Sequence, residues 1–75
     1  MENANAYETA QSISPSAVVT WKTTKTAAGF AFKVYTVEYQ KAPVILKEVD
    51  GFKSRAIAVR NGKSWVRYFK ANRKA

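Results

Sequence analysis

The sequence predicts an α+β fold of the order β-β-β-α: a three-stranded antiparallel β-meander followed by one C-terminal amphipathic helix packed on one sheet face. Three observations lead to this prediction. β-Branched and aromatic residues dominate the stretch after Pro15, and short turn signals divide it into three segments. From Ser54 onward the apolar period changes from two residues to about 3.6. At 75 residues the chain has room for one domain.

Residues 1–15 are expected to form a disordered N-terminal tail, and residues 16–75 the single basic domain. The tail is rich in Ala, Asn, Ser and Thr, and it carries Glu2 and Glu8 but no base. A short helical turn suits Tyr7–Gln11, but the sequence shows nothing that would hold it in place.

The three strands are predicted at residues 17–24, 30–41 and 44–49. The first turn ends at Gly29, which is free to adopt a positive φ. Pro43 marks the second turn, because proline cannot donate to a strand ladder. Connections this short favour antiparallel neighbours, and hence a meander.

The last element is predicted as a helix with Ser54 as its N-cap. Gly62 falls on the apolar stripe, where the missing side chain allows close approach to the sheet; the alternative is a break at Asn61-Gly62 into two short helices. The solvent side of this helix is basic as far as Lys74. The predicted core consists of Val19, Trp21, Phe30, Phe32, Val34, Val44, Leu46, Phe52, Val59, Trp65, Val66 and Phe69.

The charge of the chain is strongly asymmetric. Thirteen bases against five acids give a net charge of +8, and the 25 residues from Gly51 onward include eight bases and no carboxylate. A small domain this basic is expected to bind something negative, and the commonest such partner is the phosphate backbone of nucleic acid. Anionic lipid is the weaker candidate and no membrane partner is expected, because the sheet occupies the apolar face of the helix.

Several classes of function are disfavoured by composition. The chain has no cysteine and no histidine, which removes thiol chemistry and the commonest general base and metal ligand. The carboxylates of the basic part (Glu38, Glu48 and Asp50) are too far apart in sequence to suggest a metal site. We therefore expect no enzyme and no cofactor. No apolar run approaches a membrane span and no signal peptide is evident, so a cytoplasmic location is expected.

The sheet face opposite the helix is the first candidate binding surface. Its lysines can neutralise phosphates and its tyrosines can stack on bases. Two alternatives are that Val37, Ile45 and Val49 on this face form a dimer interface, and that the face is simply solvated. The basic surface of the helix is the second candidate. The predicted nucleic-acid-binding residues are Lys22, Lys33, Tyr35, Tyr39, Lys41, Lys47, Arg60, Lys63 and Arg67.

The order of elements, with Trp21 in the first strand and the junction Phe52-Lys53-Ser54-Arg55-Ala56 leading into the helix, resembles two groups of proteins. One is the small β-β-β-α DNA-binding modules of tyrosine integrases and plant AP2 domains. The other is the single-strand-binding coactivator type, with a curved sheet and a dimerising helix. The resemblance lies in topology and in this junction, and it implies nucleic-acid binding.

The first functional hypothesis is therefore a small nucleic-acid-binding protein, with DNA favoured over RNA and low sequence specificity. The alternative is a small phage- or plasmid-type protein-interaction module that binds an acidic surface of a host enzyme. A homodimer is compatible with both hypotheses, because a folded part of about 60 residues buries only about 60% of its unfolded surface.

Overall fold

The computed structural model describes residues 2–73, with side chains from residue 6 onward. Its elements are α1 (Glu2–Gln11), β1 (Val18–Thr26), β2 (Gly29–Glu38), β3 (Lys41–Phe52) and α2 (Arg55–Asn72). The strands form one antiparallel sheet in the order β1-β2-β3, and α2 packs against it. The predicted β-β-β-α architecture is confirmed. Lys74, predicted on the solvent side of the helix, lies outside the described residues.

The segment predicted as a disordered tail contains helix α1. Its packing on α2 supplies the contacts that its own sequence does not reveal. The Gln11 side-chain amide donates to the carbonyl oxygen of Asn72 at 2.5 Å, and the Arg73 guanidinium donates to the carbonyl oxygen of Ser14. Partners some 60 positions away in sequence thus hold the segment. The buried apolar residues of this region are Ala6, Ala10 and Ile13.

The turns differ in part from the prediction. Gly29 opens β2 with a φ of 133°, as expected for a glycine in this position. The second turn is Tyr39–Gln40, with Gln40 at a φ of 57°. Its prediction at Ala42-Pro43 was wrong by three residues. Pro43 lies instead within β3, which tolerates it because β3 is an edge strand.

The core lies between α2 and the helix-facing side of the sheet. Phe32, Val34 and Phe69 are at most 1% exposed, and the rings of Phe32 and Phe52 lie 5.7 Å apart. Most predicted core residues are buried or packed against this cluster. Val44 was wrongly included, since it is 58% exposed. The reason is that α2 packs mainly over β1 and β2 and leaves this end of β3 uncovered.

Helix α2 is continuous through Gly62, so the alternative of two short helices is wrong. The hydroxyl oxygen of Ser54 accepts a hydrogen bond from the Ile57 backbone N–H at 3.2 Å, which confirms the predicted N-cap. Gly62 is buried, and a Cβ at this position would lie 3.3 Å from the Cβ of Phe32. The close approach of helix and sheet compensates for the low helix propensity of glycine.

Candidate nucleic-acid interface

The open face of the sheet, opposite α2, brings three of the predicted residues together. Lys22, Lys33 and Tyr35 line a shallow cavity of about 410 Å³ with Pro43 and Ile45. The Lys22 ammonium lies 5.8 Å from the centre of the Tyr35 ring, which is within the range of a cation–π contact.

One of these lysines already has a protein partner. Lys33 lies opposite Glu48 in the sheet register, and the Lys33 ammonium is 3.8 Å from the Glu48 carboxylate. On the other side of β2, Lys33 faces Lys22. The open face therefore mixes charges of both signs, and its positive potential is reduced near β3.

Lys47 was predicted on the open face, and this prediction is wrong. Lys47 pairs with Val34, whereas Ile45 pairs with Tyr35, so an irregularity at Leu46 shifts the register by one residue. Opposed residues share a face of the sheet, so Lys47 lies on the helix side. Its ammonium sits 4.7 Å from the centre of the Trp65 ring. Val49, also predicted on the open face, pairs with Phe32 and packs against the core.

Tyr39 and Lys41 lie apart from the other predicted residues. Tyr39 is in the turn between β2 and β3 and is 86% exposed, so it does not extend the open face as predicted. Lys41 begins β3, and its ammonium lies 3.5 Å from the Glu38 carboxylate. The last residues of β2, after Tyr35, separate these two residues from the open-face group in the chain.

The open face also carries an apolar patch. Val18, Val37 and Ile45 are 61%, 47% and 48% exposed, and Val18 pairs directly with Val37. Val18 and Val37 lie at one end of the face, away from the Lys22–Lys33 pair, whereas Ile45 lies beside Tyr35 and lines the same cavity as the two lysines. Exposed apolar groups of this kind suit a protein surface better than a phosphate backbone.

The outward side of α2 carries the other three predicted residues. Arg60, Lys63 and Arg67 recur at spacings of three and four residues, which places them along one side of the helix, and Lys70 continues the row. All four side chains are exposed, and we call them the basic stripe. Among the side chains that the structure describes, the two ion pairs are those of Lys33 and Lys41, so neither involves the basic stripe.

The two tryptophans are not available for base stacking. Trp21 and Trp65 both pack against the core, as predicted. The Lys63 ammonium lies 5.9 Å from the Trp21 ring centre, and Lys47 lies over Trp65. Each indole is thus held between the apolar core and a lysine.

The carboxylates after Pro15 are all held away from the basic stripe. Glu48 and Asp50 lie on β3 and Glu38 ends β2, whereas β1 and α2 contain no acid. Asp50 accepts hydrogen bonds from the Thr26 hydroxyl and the Gly51 backbone N–H, each at 2.6 Å. The fold thereby separates charge, because these acids lie on β2 and β3 while the charged side chains of α2 are all basic.

Glu38 ties the segment before β1 to the sheet. Its carboxylate accepts hydrogen bonds from the hydroxyls of Ser16 and Ser14, the latter at 3.0 Å. These bonds, together with the charge of Lys41, favour the ionised form and lower the pKa of Glu38 from its ordinary value of 4.5. The sequence prediction missed this contact, because residues 14 and 38 are distant in sequence.

We expect this contact to appear as a pH dependence of stability that Glu38→Gln removes. Because the pKa of Glu38 is lower in the folded state than in the unfolded state, the ionised carboxylate stabilises the fold at pH values above its unfolded-state pKa. This stabilisation is lost as the pH falls through the folded-state pKa. Tm measured by circular dichroism from pH 7 down to the acid range should therefore fall less steeply in the variant. Glu48→Gln, which changes an acid on the open face, is the control. Parallel Tm curves for wild type and Glu38→Gln would contradict the assignment.

Two further residues of these surfaces were not among the predicted binding residues. Lys70, predicted only on the solvent side of the helix, extends the basic stripe at a spacing of three residues from Arg67. The Arg55 guanidinium lies 5.3 Å from the Phe30 ring centre and donates to the Thr23 hydroxyl at 3.1 Å. No local signal predicts that contact, because it joins residues more than 20 positions apart.

Comparison with protein-family models, with curated proteins and with solved structures found no match for this chain. Within residues 2–73, no helix is both long enough and apolar enough to cross a membrane.

Proposed function

We propose that this chain is a small nucleic-acid-binding protein of low sequence specificity that favours DNA and acts in the cytoplasm. The observation that carries the proposal is the basic stripe of α2. Its four bases are exposed and lack carboxylate partners among the described side chains, whereas Lys33 and Lys41 on the sheet have them. Unpaired like charges on one helix repel each other, and a polyanion relieves that repulsion.

The stripe is also well placed for phosphate contact. Arg60 and Arg67 are two helical turns apart on the same side of α2, with Lys63 and Lys70 beside them. Arginine binds phosphate oxygens in a bidentate manner, and lysine contributes a mobile point charge. Lys22 and Tyr35 on the open face form a second, smaller group.

The salt dependence of binding tests the proposal. Fluorescence anisotropy with labelled oligonucleotides at several salt concentrations should show log K falling with log[salt] at a slope of about −4 to −5, if about six phosphates are neutralised. A slope near zero, or no binding at low salt, would contradict nucleic-acid binding.

Charge-removing variants locate the surface. Arg60→Gln/Arg67→Gln should weaken binding about tenfold to thirtyfold and reduce the salt slope by about two, because two phosphate contacts are removed. Lys41→Gln/Lys53→Gln removes the same charge at the two ends of β3 and is the matched control. The double variant Lys33→Ala/Tyr35→Ala measures how much the open face contributes to nucleic-acid binding. If binding is lost in that variant but survives in the arginine variant, the open face is the site.

The apolar patch on the open face favours a second candidate function, contact with protein. Val18, Val37 and Ile45 would be covered either by a second copy of the chain or by a partner protein, with acidic groups on that partner facing Lys22. Val37→Lys should abolish such an association in sedimentation experiments while leaving DNA binding through α2 intact. Loss of both would show that one surface serves both partners.

A further inference from the structure

We propose that the outward side of α2 enters the major groove of double-stranded DNA, which makes B-form duplex the preferred ligand. This inference rests on the proposed function and adds the class of nucleic acid and the docking geometry. Four features of α2 support groove entry: the small side chains on its outward side, the dimensions of the helix, the cations on its two flanks and the burial of its aromatic residues.

Small side chains accompany the bases on the outward side of α2. Ser64 lies between members of the basic stripe, and Ala56 and Ala71 lie beyond its two ends, on the side opposite the buried Ala58, Gly62 and Phe69. All three are exposed, and no acid interrupts them. Apart from Ile57 near the start of α2, which is 41% exposed, this side carries little bulk, so the helix backbone can approach another molecule closely while the longer arginines reach further.

The dimensions of the exposed helix suit a major groove. The 18 residues of α2 span about 27 Å, and the stripe from Arg60 to Lys70 covers about 15 Å. A helix with its side chains is about 10–12 Å wide, and the B-form major groove is about 12 Å wide against about 6 Å for the minor groove.

Cations also flank α2 on both sides. On the β1 side Lys63 lies over Trp21, and on the β3 side Lys47 lies over Trp65. Phosphates of both strands border a groove, so a docked helix needs positive charge on each flank. Arg60 and Arg67 project between these flanks, where guanidinium groups can reach base edges.

The same surface is poorly suited to single strands and to double-stranded RNA. Single-strand binding depends on exposed aromatic rings for stacking, but Trp65, Tyr68 and Phe69 of α2 all pack against the core. The major groove of A-form RNA is deep and too narrow for side chains to read. The structure therefore favours duplex DNA over both.

A bulky substitution between the bases tests groove entry without changing charge. Ser64→Tyr places a large ring on the outward side of α2, and Thr24→Tyr places the same ring on the open face as a control. Wild type should bind a duplex of about 20 base pairs, or about two helical turns, more tightly than the single strand or the RNA duplex of equal length. Ser64→Tyr should weaken duplex binding about tenfold, the cost of a lost close contact. Single-strand binding should not weaken, because an added exposed ring can stack on bases, and Thr24→Tyr should leave duplex binding unchanged.

The outcomes separate this inference from the proposed function. Equal affinity for duplex and single strand, or a Ser64→Tyr variant that binds duplex like wild type, would overturn groove entry while leaving nucleic-acid binding in place. Absence of binding to every oligonucleotide at low salt would overturn the proposed function as well. Circular dichroism spectra that match wild type ensure that the tyrosine variants are compared as folded proteins.

Discussion

Phe32→Ala is expected to remove a large part of the free energy of unfolding of this protein. Phe32 is 1% exposed on the central strand of the sheet, where its ring packs on that of Phe52 and its Cβ faces Gly62 of α2. Removing a buried phenylalanine ring costs about 3–5 kcal/mol in lost burial and cavity formation. A domain of this size has a total stability of about 4–11 kcal/mol, and the lower part of that range is typical of small domains.

Urea denaturation followed by tryptophan fluorescence would measure this loss. Val44→Ala is the matched control, because it also shortens an apolar side chain of the sheet but at a position 58% exposed. We expect that control to shift stability by less than about 1 kcal/mol. A Phe32→Ala variant with the urea midpoint of the Val44→Ala variant would show that the core is not centred on Phe32.

Gly62→Leu should have the second largest effect, because it fills space that the helix and sheet already occupy. A Cβ at residue 62 would be 3.3 Å from the Cβ of Phe32, and a leucine adds three further carbons in that direction. Overpacking of this kind costs about 1–3 kcal/mol, and sometimes more, even though leucine is the better helix former. The buried Phe32 has little freedom to move away, so we expect a loss near the upper end of that range.

The effect of Gly62→Leu is measured by thermal unfolding against Ala71→Leu. Ala71 is exposed on the outward side of α2, so a leucine there meets solvent and should be close to neutral. If both variants unfold at the wild-type temperature, the close approach of α2 to the sheet is not what stabilises this helix. The comparison also bears on function, because this packing holds the basic stripe in position.

Local patterns were sufficient to predict the fold class. The alternation of Phe32 and Val34 with Lys33 and Tyr35 assigned the two faces of β2 correctly, because a strand repeats every two residues, although β2 ends at Glu38 and not at Lys41. Ser54 before the change of period predicted the N-cap of α2. Such signals come from neighbours in the chain and need no knowledge of the rest of the molecule.

The candidate site was predictable only where the strand or helix is regular. The helical period correctly predicts that Arg60, Lys63 and Arg67 lie on the outward side of α2. In contrast, Lys47 lies on the opposite face from its prediction, because the irregularity at Leu46 shifts the residues from Lys47 to Val49 by one position. The sequence carries no distinctive signal for the extra residue at Leu46. The alternation pattern therefore could not predict which face Lys47 occupies.

The amino-acid sequence alone is enough to predict the β-β-β-α order and the helix cap, and it contains the net charge of +8 and the concentration of bases toward the C-terminus. The folded chain is needed to show which lysines are paired with acids, which face Lys47 occupies and that residues 2–11 form a helix. This difference follows from the range of the interactions. Periodicity and capping act over a few residues, whereas bulges, ion pairs such as Lys33–Glu48 and the contact of α1 with α2 depend on segments that meet only in the folded chain.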